Sequence, residues 1–146
     1  MLFRSRLAVT GYSYGGYMTC WLTGHTTRFA AAVAGGCVSD LASFSGGSDI
    51  GPMLATHELG ALAWEDPERL ATQSPWTFVG EVSTPTLLQH GADDLRCPVG
   101  QAEQWFSALR SRRVPTEMVL YPGVGHLFIV SGPPPYRVDW CQRIVD

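Results

Sequence analysis

The sequence predicts an α/β domain built on a mostly parallel sheet of about four strands with flanking helices. Three observations carry the prediction. Short apolar runs alternate with stretches of helical periodicity along the 146 residues. The first run, Leu7-Ala8-Val9, passes directly into Gly11-Tyr12-Ser13-Tyr14-Gly15, a strand–turn–helix signature with a serine at its apex. Two later runs each end in a loop bearing a residue able to work with that serine, Asp93-Asp94 after one and His126 after the other.

Taken in order, Arg6 to Thr10 reads as the first strand. Its core, Leu7 to Val9, is apolar throughout rather than alternating, as expected of a central parallel strand buried on both faces. Tyr14 to Gly24 reads as a helix, because Met18, Trp21 and Leu22 share a face and Gly24 offers a stop. Phe29 to Val33 is a short apolar strand ended by Gly35-Gly36. Residues 39–80 are rich in Gly, Ser and Pro and read as irregular, with short helices around Pro52 to Leu62 and Pro67 to Ala71. Pro85 to Gln89 is a buried strand. Val99 to Arg110 is a helix with Ala102, Trp105, Phe106 and Leu109 at helical spacing, and Arg110, Arg112 and Arg113 suit the negative end of its dipole. Met118 to Tyr121 is the last strand, and Tyr136 to Val145 is a final helix after Pro133-Pro134-Pro135. There is no internal repeat and no low-complexity segment.

Composition narrows the class. At 45% hydrophobic residues the chain can fill one core. A net charge of −3 is too mild to suggest nucleic acid or an anionic membrane as partner. No apolar run approaches the length that spans a bilayer, and Met1 to Arg6 lacks the apolar region of a signal peptide. A cytoplasmic location is therefore the expectation. Cys20, Cys37, Cys97 and Cys141 are widely spaced, with no Cys-x-x-Cys or Cys/His ligand pattern, so they read as small buried hydrophobes and no metal or cofactor is expected. The chain has no asparagine and hence no N-glycosylation site.

The chemistry lies in the elbow and the two loops. An elbow lifts the serine hydroxyl above the sheet, and glycines around it let strand and helix backbones come close. A hydroxyl is a weak nucleophile, so it needs a histidine base and an acid to orient that base. The pentapeptide alone also suits an ordinary turn. What separates the two readings is the order serine, acid, histidine, which is that of α/β-hydrolases. All three candidates also sit just past strand carboxyl ends, where open parallel sheets bind ligands. Ser13 is then the nucleophile, Asp94 the acid and His126 the base. The backbone N–H of Tyr14, the residue after the nucleophile, is an oxyanion donor. His90 stands too close to the acid loop to be the base, and reads as its support. Arg96 reads as holding that loop through a carboxylate. His25, after the end of the first helix, reads as a surface residue.

These motifs resemble the catalytic domain of the prolyl oligopeptidase family of serine peptidases, in its acylaminoacyl-peptidase and dipeptidyl-peptidase-like branch. The resemblance rests on Leu7 to Met18, Ser48 to Pro52, Trp64 to Glu68, Ser74-Pro75, His90 to Leu109 and Tyr121 to His126. It implies a partial α/β-hydrolase fold, and it selects Asp94 over Asp93, because Asp94 begins Asp94-Leu95-Arg96-Cys97-Pro98. It implies a peptidase that cleaves short peptides through an acyl-enzyme. The family's β-propeller, the first half of its sheet and the loop giving the second oxyanion donor are expected to be absent, so that residues 1–146 correspond to the C-terminal portion of the catalytic domain. Such a chain is expected to self-associate or to need the missing half. Phe44, Trp64, Trp76 and Phe78 are the aromatic candidates for the pocket receiving the side chain before the scissile bond. The three residues do not separate amide from ester hydrolysis, so an esterase or lipase of the same fold is the alternative, and a catalytically silent fragment another.

Overall fold

The structure, a computed structural model, describes residues 7–146. Among the described residues the sheet has four strands in the order of the chain: β1 (Ala8–Tyr12), β2 (Ala31–Gly35), β3 (Thr86–Gly91) and β4 (Thr116–Tyr121). Every neighbouring pair is parallel. Parallel neighbours need crossovers, and the helices supply them: α1 (Tyr14–His25) after β1, and α5 (Gly100–Ser111) between β3 and β4. Between β2 and β3 lie α2 (Leu41–Gly47), α3 (Gly51–Leu54), a π-turn (Ala55–Leu59), α4 (Pro67–Gln73) and a 3₁₀ segment (Pro75–Glu81). A single turn, α6 (Phe128–Ser131), and α7 (Pro134–Val145) close the chain.

Helices cover both faces of the sheet. Successive strand residues point to opposite sides, and Leu88 and Gln89 illustrate it. Leu88 joins Cys20 of α1 and Ala102, Trp105 and Leu109 of α5 in one buried cluster. Gln89 faces the other way, its Nε2 donating to the Trp140 carbonyl of α7 at 3.5 Å. On that side Tyr121, Phe128 and Trp140 form a second cluster that Tyr12 packs against. A third, of Val38, Leu41, Phe44, Leu70 and Cys97, lies among the segments past the strand carboxyl ends.

Two sequence expectations shift, and a third lies outside the described residues. Of the expected first strand, Arg6 lies outside the described residues, as does the Met1 to Arg6 segment read for targeting. Among the described residues Leu7 to Val9 is less buried than expected: β1 is the end strand of the described sheet, with Ala8 and Thr10 exposed and Val9 half-buried, because described elements cover only part of its surface. Residues 39–80 hold far more helix than irregular composition suggested. Asp40 caps α2 by accepting from the N–H groups of Ala42 and Ser43, and Asp66 caps α4 by accepting from that of Arg69. No described helix is long and apolar enough to cross a membrane.

Candidate active site

The turn from β1 to α1 places Ser13 in a conformation rare for a side-chain-bearing residue, φ 60° and ψ −118°. Such backbone costs about 1–3 kcal/mol and survives only where neighbours enforce it. Here the Ser13 N–H donates to the Gly35 carbonyl at 2.9 Å, and the Tyr17 N–H donates to the Ser13 carbonyl at 2.9 Å. Gly11 must lack a side chain, since a Cβ there would overlap the backbone of Gly15. Gly16 must lack one too, because it would meet Gly35 and Cys37. At Gly15 an added Cβ would meet nothing within 4 Å, so its smallness is not what lets the elbow close.

Asp94 stands in the loop after β3 and is buried. Its Oδ1 accepts from the N–H groups of Arg96 at 2.9 Å and Cys97 at 2.8 Å. That leaves Oδ2, which lies 2.7 Å from His126 Nδ1. A carboxylate only accepts, so Nδ1 carries the proton and Nε2 is an acceptor. Nε2 lies 2.8 Å from Ser13 Oγ, which donates to it. The loops bearing the two residues are knitted together: the Asp93 N–H donates to the Val124 carbonyl at 3.0 Å and the Ala92 N–H to that of Tyr121 at 2.9 Å. Asp93 itself is exposed, and its side chain takes no part.

Other candidates fall as follows. His90 is wholly buried; its Nε2 donates to the Cys97 carbonyl at 2.8 Å and lies 3.5 Å from Asp94 Oδ2, so it does brace the acid loop. Arg96 pairs with Asp49 at 2.6 Å, holding the loop to the segment before α3. The pair keeps the Asp49 carboxyl below its ordinary pKa. His25 is exposed, bonded to the Trp21 carbonyl and stacked on the Trp21 ring. Cys20, Cys37 and Cys97 are buried and Cys141 is exposed. Burial, and then the Asp94 charge, push the Cys97 thiol up to about 12. Among the described residues no cluster of three or more His, Cys, Asp or Glu is disposed to hold a metal ion.

A cavity of about 460 Å³ opens beside Ser13 and Tyr14. Its apolar wall is Tyr17, Val38, Leu41, Phe44, Ile50 and Leu54, with Arg96, Gln73 and Glu58 as polar members. Of the four aromatic candidates only Phe44 lines it. Trp64 stands exposed in a turn, Trp76 follows the end of α4, and Phe78 packs on Trp21 and His25. Sequence reasoning found Phe44 but missed the rest of the wall, which is mostly aliphatic and drawn from several segments. It also missed Tyr12, whose hydroxyl donates to the His126 carbonyl at 2.6 Å.

A parallel sheet with a strained serine elbow, and an acid and a histidine on later strand ends, defines the α/β-hydrolase fold. Within it the chain belongs to the prolyl oligopeptidase family, whose profile matches residues 2–146. It is 44% identical over 139 residues to the uncharacterized peptidase YuxL of Bacillus subtilis, covering 95% of this chain and 21% of that protein. It is 33% identical over 132 residues to the acylamino-acid-releasing enzyme of Rattus norvegicus, covering 83% of this chain and 18% of that one. The Pyrococcus horikoshii acylaminoacyl peptidase superimposes with a TM-score of 0.91 at 27% identity, over 97% of this chain and 23% of that one. The chain thus spans about a fifth of the length of the curated relatives it matches.

Proposed function

We propose that this chain carries the catalytic residues of a serine peptidase acting on short peptides, with Ser13 as nucleophile, His126 as base and Asp94 as the acid that orients it. The observation that carries the reading is the unbroken hydrogen-bonded line Ser13 Oγ, His126 Nε2, His126 Nδ1, Asp94 Oδ2. His126 takes the hydroxyl proton as Oγ attacks the substrate carbonyl carbon. Asp94 stabilises the imidazolium without becoming protonated. The Tyr14 N–H opens α1 and has no partner within the helix, so it is free to receive the developing oxyanion. His126 returns the proton to the leaving amine, and water releases the acyl group by the same steps in reverse. Losing one oxyanion donor typically costs about 10²–10³ in rate.

The cavity beside Ser13 suits a large apolar side chain before the scissile bond. Two of these relatives are named for acylamino-acid release or acylaminoacyl peptides; for this chain the proposal is cleavage of short peptides. Paired turnover of acylated phenylalanine p-nitroanilide and p-nitrophenyl acetate tests the reading. Amide hydrolysis that favours large apolar residues over glycine supports it. Hydrolysis of the ester alone points instead to an esterase of the same fold.

A further inference from the structure

We propose that Tyr12 is a positioning residue for His126, its phenol setting where the imidazole stands by holding the histidine's own backbone. The proposal rests on the roles assigned above to Ser13, Asp94 and His126. His126 belongs to neither strand nor helix; it lies in the loop between β4 and α6. Among the described residues its imidazole bonds only the two groups it works with. Its carbonyl is gripped by the Tyr12 hydroxyl at 2.6 Å. Tyr12 is the last residue of β1, directly before Ser13, so one residue ties the strand of the nucleophile to the loop of the base.

That tie crosses the sheet. β1 and β4 are its first and last described strands, about 14 Å apart at ordinary strand spacing. The end of β2 lies beneath the tyrosine ring and is clear of side chains. A Cβ on Gly35 would come within 2.7 Å of Tyr12 Cδ2, and one on Gly36 within 2.9 Å of Cζ. The ring meets Trp140 edge-on at 5.3 Å and lies 5.2 Å from the imidazole. Burial, reinforced by the Asp94 charge, raises the phenol above its ordinary pKa, so the hydroxyl remains a donor at any working pH. A tyrosine kept only for packing would not need the hydroxyl that grips the His126 carbonyl, since phenylalanine would fill the same space.

The test uses three forms of the 146-residue chain: wild type, Tyr12→Phe and Tyr121→Phe. Tyr121→Phe removes a phenol from the same cluster, one bonded to Gln89 and Asp139 rather than to His126. Two readouts are taken, the rate of Ser13 labelling by a fluorophosphonate and the downfield NMR resonance of the His126 Nδ1–H shared with Asp94. Tyr12→Phe is expected to label about three- to tenfold more slowly, the range one hydrogen bond covers, with the resonance shifted or broadened away. Tyr121→Phe should match wild type in both. Wild-type labelling and an unchanged resonance in Tyr12→Phe overturn the proposal, and so does equal slowing in Tyr121→Phe. If none of the forms labels, the nucleophile assignment itself fails, and the resonance alone decides whether Tyr12 holds His126.

Discussion

Replacing Asp94 by asparagine changes one atom and should remove nearly all activity. Asp94 Oδ1 accepts from two backbone N–H groups, and an amide keeps those bonds only by leaving its oxygen there. Its nitrogen must then occupy the Oδ2 position, 2.7 Å from His126 Nδ1. That nitrogen is a donor, so Nδ1 must become an acceptor and the imidazole proton must move to Nε2. Nε2 can then no longer take the Ser13 proton. The fold should tolerate the change, because the volume and both backbone bonds are kept. Activity should not: a Ser-His-Asp site forced into the wrong tautomer loses about 10⁴ in kcat, or roughly 5 kcal/mol of transition-state stabilisation. The assay is p-nitrophenyl ester turnover by Asp94→Asn beside Asp93→Asn, with a thermal melt of each. Asp93→Asn should behave as wild type. A greater loss at Asp93 than at Asp94, or an Asp94→Asn protein of ordinary kcat, refutes the tautomer argument.

Three further outcomes are expected. Gly11→Ala should destabilise by about 1–3 kcal/mol in urea titration, the usual cost of forcing an atom into packed space, whereas Gly15→Ala should be neutral or stabilising by up to about 1 kcal/mol. Iodoacetamide at pH 8 should alkylate Cys141 and spare Cys97, buried and titrating at about 12; intact mass and peptide mapping read the sites. The Asp49 carboxyl is held low by Arg96, so its contribution exists above its unfolded pKa and is lost as pH falls through the folded one. Asp49→Asn should therefore lower the melting temperature at pH 7, and the gap from wild type should close in acid.

The elbow was legible because it is local: strand, glycines, serine and helix follow within a few residues, and their geometry depends little on the rest of the chain. The helix over Val99 to Arg110 was legible for a similar reason, its apolar face repeating at a clear period. The second strand was placed two residues early at both ends. Gly35 looked like a stop signal, but it pairs with Tyr12 in the ladder and is small because Tyr12 and Trp140 pack across it. That reason involves a helix more than a hundred residues away and leaves no local trace. The cavity wall was hidden in the same way. Aromatic character suggested Phe44, Trp64, Trp76 and Phe78, and only Phe44 lines the cavity; a pocket is defined by what several short segments leave empty between them. In residues 39–80 the sequence reading did not use Asp40 and Asp66, each of which caps a short helix.

The central claim is that Ser13 is an activated nucleophile. The most direct measurement is mass spectrometry of the folded chain after exposure to a fluorophosphonate, with peptide mapping of the adduct. One adduct per chain is expected, on Ser13, absent from Ser13→Ala and from His126→Ala. A folded chain that takes up no probe, or an adduct that persists in Ser13→Ala, would contradict it.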